Sequence, residues 1–248
     1  MDLNRFYEIL ERIEQKAGGK RILSACHAKM NWPNRGIYFF FEDGEYRQNG
    51  HEQRVVRVGT HALKRNSGTT LWDRLKGHKG TEKGKYPGGG NHRGSIFRLH
   101  VGTAIINRDG LSFDSWGRGS SGGADIRVKE HPLEIGVSEK IRAMPFLWLE
   151  VDDEPGPNSM RKYIERNSIA LLSNFQRAPI DPPSPGWLGK YCTNEKVRKS
   201  GLWNADHVDE DYDPGFLDTL FDLFLKSELK TCPAGVKDIK SDIKRERP

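Results

Sequence analysis

Arg35-Gly36-Ile37-Tyr38 runs straight into Phe39-Phe40-Phe41, and a second apolar run, Val55-Val56-Arg57-Val58-Gly59, comes after a turn-rich interval. The spacing predicts strands over residues 35–42 and 54–60, with Asp43-Gly44 and Asn49-Gly50 supplying turn chemistry between them. The connection is long for a hairpin, so irregular backbone or a bulge is expected there. A tyrosine thus sits near the start of one strand, and a glycine ends its partner. Downstream come a helix carrying Arg74 and His78 and another carrying Glu165. Tyrosine, arginine, histidine and glutamate on separate elements can together activate water and hold a divalent cation against a phosphate.

The rest of the chain bounds that reading. Its 248 residues suffice for one large domain with an appendage. Lysine and arginine number 40 against 34 acidic residues, a net charge of +6, which favours a polyanionic partner. The three cysteines, Cys26, Cys192 and Cys232, are odd in number and lack paired metal spacing. That predicts free thiols in a reducing, cytoplasmic setting, and Cys26-His27 has no second pair with which to hold zinc. No apolar stretch approaches the roughly 18 residues that span a bilayer, and residues 1–14 mix charges through their hydrophobic positions unlike a signal peptide. A membrane partner is not expected.

Leu3, Phe6, Tyr7, Leu10, Ile13 and Ala17 recur at helical spacing and stop at Gly18-Gly19. Thr70-Leu71-Trp72-Asp73 has the side chains of a capping box and opens a helix on which Arg74 and His78 share a face. From residue 76 to residue 94 the chain is rich in glycine and in cations: Lys76, Lys79, Lys83, Lys85 and Arg93. It reads as a mobile loop able to track a phosphate backbone, or as a solvated insertion. Residues 95–106 predict a buried helix and residues 138–144 a short one. Phe146 to Val151 is an apolar run of strand length, and a helix from near Ser159 runs toward Asn174 with Glu165 on its core-facing edge. A carboxylate so placed calls for a partner.

Pro179, Pro182, Pro183 and Pro185 mark a rigid connection. The expected division is 1–178 as the main domain with an insertion over about 76–145, 179–231 as a C-terminal extension, and 232–248 as a charged, disordered tail. Phe216, Leu217, Leu220, Phe221, Phe224 and Leu225 form an apolar stripe that must bury itself on this chain or on a second copy, which leaves a homodimer open. Trp187, Trp203 and Tyr191 read as packing residues of the extension ahead of base-stacking ones.

The order of strand with Gly36-Ile37-Tyr38, strand ending in Gly59-Thr60, helix with Leu71-Trp72-Asp73-Arg74-Leu75 and His78, strand, then helix with Tyr163-Ile164-Glu165-Arg166-Asn167 and terminal Asn174 resembles the GIY-YIG nuclease superfamily. The resemblance covers about residues 36–174, interrupted over 76–145. It implies an α/β (α+β) fold with a small three-stranded sheet flanked by helices, and phosphodiester hydrolysis with one divalent metal, Mg²⁺ or Mn²⁺. By the same resemblance Tyr38 acts as, or positions, the general base, and Glu165 ligates the metal. Arg74 binds the scissile phosphate, His78 touches the phosphate or relays a proton, and Asn174 supports the site. The second motif departs from Tyr-Ile-Gly, since Arg57-Val58-Gly59 puts an arginine where the family has its tyrosine. A guanidinium cannot be deprotonated to share work with Tyr38, but it could hold the phosphate or act on the tyrosine through its charge. Glu150, ending an apolar strand near Asp152 and Asp153, is the chief rival for the metal. The resulting reading is a DNA endonuclease of restriction or defence type, with RNA left open as substrate. The alternatives are a repair or recombination nuclease on branched DNA and a nucleic-acid-binding protein that has lost catalysis.

Overall fold

The computed structural model describes residues 1–229, so Cys232 and the charged segment 232–248 lie outside the described residues. Four antiparallel strands, β1 (Arg21–Ile22), β2 (Gly36–Tyr46), β3 (Gln53–Gly59) and β4 (Pro145–Glu150), form one sheet in the order β1-β4-β2-β3. Three of them match the expected sheet. The fourth, β1, is a two-residue edge strand, too short to leave a periodicity in the sequence.

β2 is the central strand, and Ile37 to Phe41 are all buried. A strand covered on both faces needs a continuous apolar run in place of an alternation. Ile37, Phe39 and Phe41 face one core, packed by α1 (Asp2–Ala17), α5 (Met160–Leu172) and α7 (Phe216–Leu229). Tyr38 and Phe40 face the other, closed by α2 (Leu71–Lys79), α3 (Ile96–Asp109) and α4 (Ala124–Arg142) together with Trp187 and Trp203. The irregularity expected in the connection exists, since Phe41 pairs with Val55 but Tyr46 with Gln53, which leaves extra residues in β2. A second bulge lies inside the pair, where Phe40 pairs with Arg57 but Phe41 with Val55, so Val56 is the extra residue.

The helix expected over residues 138–144 is the last part of the 19-residue α4. Pro132 and Gly136 lie within it, and they dilute the helical signal so that only the end nearest β4 reads as helix. The basic segment 76–94 is divided: Lys76 to Lys79 close α2, and the loop begins only after Lys79. The capping box of α2 forms as expected, with Thr70 Oγ1 accepting from Asp73 N at 3.2 Å and Asp73 Oδ2 from Thr70 N at 3.0 Å. The stripe of α7 is consumed within the chain, where Phe216, Leu217, Leu220 and Phe224 are buried in the core that also holds Phe6 and Phe39. It therefore makes no demand for a second copy. Cys26 and Cys192 are buried free thiols. Among the described residues no helix is long and apolar enough to cross a membrane.

Candidate active site

Both motif glycines are required by contact. A Cβ on Gly36 would stand 2.6 Å from the Leu149 carbonyl oxygen of β4, and one on Gly59 would stand 2.3 Å from the Tyr38 hydroxyl. Tyr38 and Gly59 are direct partners across β2 and β3. The tyrosine ring lies over the glycine, and the absence of a side chain there lets its hydroxyl reach the end of the sheet.

That hydroxyl is the hub of the cluster. It meets His78 Nε2 at 2.8 Å, while His78 Nδ1 meets Ser95 Oγ, the cap of α3, at 2.8 Å. A neutral imidazole has one N–H, so one of these bonds donates and the other accepts. Burial, then Arg74, Arg57 and Arg98, hold His78 well below the ordinary imidazole range, which keeps it neutral. Arg57 and Arg74 both act on the Tyr38 oxygen. Arg57 is buried, with its guanidinium over the Phe97 ring at 4.7 Å and Nη1 donating to the Trp203 carbonyl at 2.7 Å. Among the described residues the buried Nε groups of Arg57 and Arg74 have no acceptor. Arg74 also lines a cavity of about 370 Å³ with Arg93, Gly94, Ser95 and Gly117.

Glu165 closes the cluster from α5. Its Oε1 accepts from Thr60 N at 3.1 Å, just past the end of β3. Burial raises its carboxyl above the usual range, opposed by Arg57, the Thr60 N–H, His207 and Arg74. An anion held where burial disfavours it, with one oxygen oriented by a backbone N–H, suits a hard cation. Glu165 is thus the residue of this cluster able to hold Mg²⁺ or Mn²⁺. Glu150 is exposed at the end of β4, opposite Gly36. Among the described residues no three His, Cys, Asp or Glu side chains gather as a ligand cluster.

Tyr38, Arg57, Arg74, His78 and Glu165 therefore converge. Asn174 is placed elsewhere. Its Oδ1 accepts from Ile180 N and Asp181 N, and its Nδ2 donates to the Asp181 and Ser200 carbonyls, so it knots the start of the C-terminal segment. The cations of 76–94 also separate. Lys79 is buried and donates to the Cys26 carbonyl at 2.7 Å, and Arg93 is fixed on Glu130 from α4, whereas Lys76, Lys83 and Lys85 are exposed. Trp187 and Trp203 are fully buried and Tyr191 is exposed.

Several contributors went unread in the sequence. Ser95 was legible only as the start of a helix, and Thr60 only as a strand end. His61 comes next after Thr60, with Nδ1 donating to the Thr69 carbonyl at 2.9 Å and a buried Nε2 that has no partner. Burial, then Arg161, bring it down to about 4, and burial, then Arg57, bring His100 down to about 4.

These histidines set an acid limit on the fold. Their folded pKa values lie below the unfolded value near 6.5, so their stability contribution is complete above about 6.5 and is lost as pH falls toward 4. Each is expected to add a slope of up to about 1.4 kcal/mol per pH unit in that window. Urea midpoints measured from pH 7 to pH 4 check this, and a flat profile would refute it.

A family model described as GIY-YIG domain matches residues 1–229. No curated protein and no solved structure matches the chain. The match spans the sheet, the helices over both its faces and the C-terminal segment that packs against β3, and with the convergence at Tyr38 it gives the identification: the chain belongs to the GIY-YIG family of nucleases.

Proposed function

We propose that the protein is a divalent-cation-dependent DNA endonuclease acting in restriction or another form of defence against foreign DNA. The observation that carries the reading is that two guanidinium groups, Arg57 and Arg74, gather at Tyr38 beside the Glu165 carboxylate, each with a buried Nε that has no acceptor. Guanidinium groups with spare donors suit a phosphate whose negative charge grows during displacement. Arg57, standing where the family has a second tyrosine, takes part as a phosphate-facing charge.

The placement of the residues supports the following roles. Arg74, which lines its cavity, binds the scissile phosphate. Tyr38, fixed by His78 on one side and the two arginines on the other, orients the attacking water or takes its proton. His78 and Ser95 keep the Tyr38 oxygen in place and can exchange donor and acceptor roles without moving. Glu165 would hold Mg²⁺ or Mn²⁺, which when bound supplies charge compensation at the phosphate. Tyr38→Phe removes one oxygen and is expected to lower the cleavage rate by about 10² or more with an unchanged fold. The check is supercoiled plasmid incubated with Mg²⁺ and, separately, with EDTA. A wild type that leaves plasmid intact under both conditions would favour the DNA-binding protein without catalysis, and a preference for branched over linear duplex would favour repair or recombination.

For duplex binding, the exposed Lys76, Lys83 and Lys85 are assigned to the phosphate backbone, and Lys79 and Arg93 to the fold. Neutralising the three exposed lysines is expected to weaken all sequences alike and to flatten log K against log salt by roughly 0.9 per lost contact. A filter-binding titration with an unchanged slope would place the DNA on another surface.

A further inference from the structure

A second cavity adjoins the one that Arg74 lines. It measures about 490 Å³, within the roughly 300–1,000 Å³ range of small-molecule sites. The two share Leu99 and Gly117, and the partition between them includes a stacked pair of rings. His92 lines the Arg74 cavity and Trp116 the second, with their centroids 3.8 Å apart. Both rings are held in place. Trp116 Nε1 donates to the Leu99 carbonyl at 3.2 Å, and its ring occupies the space over Gly102, where a Cβ would stand 2.1 Å from it. His92 Nε2 accepts from Gly117 N at 3.2 Å, which leaves Nδ1–H to donate to Glu134.

The two cavities differ in chemistry. Arg74 and Arg93 line the first, whereas no lysine, arginine, aspartate or glutamate lines the second. Its wall combines the aromatic rings of Trp116 and Phe113 with the short polar side chains of Thr103, Asn107 and Asn194. His100 belongs to the same wall and is 5 % exposed, with Nδ1 3.8 Å from Cys192 Sγ and a buried Nε2 that has no hydrogen-bond partner. A nucleotide divides in the same way, into a charged phosphate and an uncharged aromatic base edged with donors and acceptors. We propose that the second cavity receives a single nucleobase, unstacked from the strand whose phosphate lies on Arg74. The inference rests on the phosphate reading of Arg74. The rings supply a stacking surface, and the amides, the hydroxyl and the spare nitrogen of His100 suit the base edge. A base must leave its stack to enter, which costs least where it is unpaired.

The test titrates the full chain, in EDTA so that nothing is cut, into two labelled duplexes that carry one extra nucleotide in one strand. The extra nucleotide is a thymidine in one duplex and an abasic spacer in the other, so backbone and charge are the same. The thymidine duplex should bind about tenfold more tightly. Thr103→Phe, which fills the cavity, should reduce that ratio to about twofold or less. With 5-iodouracil as the extra base, irradiation of the wild-type complex should join it to Trp116 or Phe113. Equal affinity for the two duplexes overturns the proposal, as does a preference that Thr103→Phe retains. A cross-link only to residues outside the cavity overturns it even if the variant fails to fold. Equal binding leaves the nuclease reading standing, whereas binding of neither duplex overturns the proposal, and plasmid nicking that EDTA blocks then shows whether the nuclease reading survives.

Discussion

Glu165→Gln is expected to abolish cleavage while leaving the protein folded, DNA-competent and as stable as wild type or more so. The amide keeps an oxygen for the Thr60 N–H, so the end of β3 stays attached to α5. It removes a negative charge that burial already disfavours, as the raised carboxyl shows, and the neutral side chain should relieve that cost. The same change removes the anionic ligand a cation needs. Plasmid nicking, duplex binding and thermal melting measured on one preparation check all three parts. Nicking at the wild-type rate would remove Glu165 from the chemistry. Gain of stability with loss of activity is the expected signature of a site whose charge is kept for function.

The second large effect is structural. Arg98 is fully buried on α3, and it pairs with Glu134 of α4 while donating Nη1 to the His78 carbonyl at 2.8 Å and Nη2 to Ser138 Oγ at 2.9 Å. Glu134 also accepts from the backbone and ring nitrogens of His92, at 2.6 and 3.0 Å. Glu134→Ala would leave a buried guanidinium without its counter-charge, and removal of one partner of such a pair costs about 3–5 kcal/mol. Urea unfolding measures it, and a loss under about 1 kcal/mol would show that Arg98 finds another acceptor. The position of His78 depends on this link. Any folded fraction of the variant should therefore also cleave poorly.

The legible part of the fold was what local periodicity and turn chemistry encode. The run from Ile37 to Phe41, the box at Thr70 and Asp73, and the start at Ser159 each stand within a few residues of chain, and each forms. The helix α4 did not read as one because Pro132 and Gly136 break its pattern, while its stability comes from distant partners such as Arg93 and Arg98. The same reason hid the division among the cations. Lys79 and Arg93 resemble Lys83 and Lys85 in sequence, and only the fold brings Cys26 and Glu130 to them. At the site, the order of motifs points to Tyr38, Arg74, His78 and Glu165, but the direction of Arg57 depends on a carbonyl 146 positions away.

The segment around Trp203 bears on how the protein comes into being. Trp203 N donates to the Val56 carbonyl at 2.7 Å, and Asn204 exchanges bonds with Val58, so this stretch occupies the outer edge of β3. All the motif residues precede it. A nascent chain still short of residue 203 already carries the whole motif, but Arg57 lacks its acceptor and β3 presents a bare hydrogen-bonding edge, a template for misassociation with other chains. Assembly of the cluster around Arg57 thus waits until residue 203 has been made. A fragment ending near residue 178 would leave this edge bare and is expected to associate with other strands.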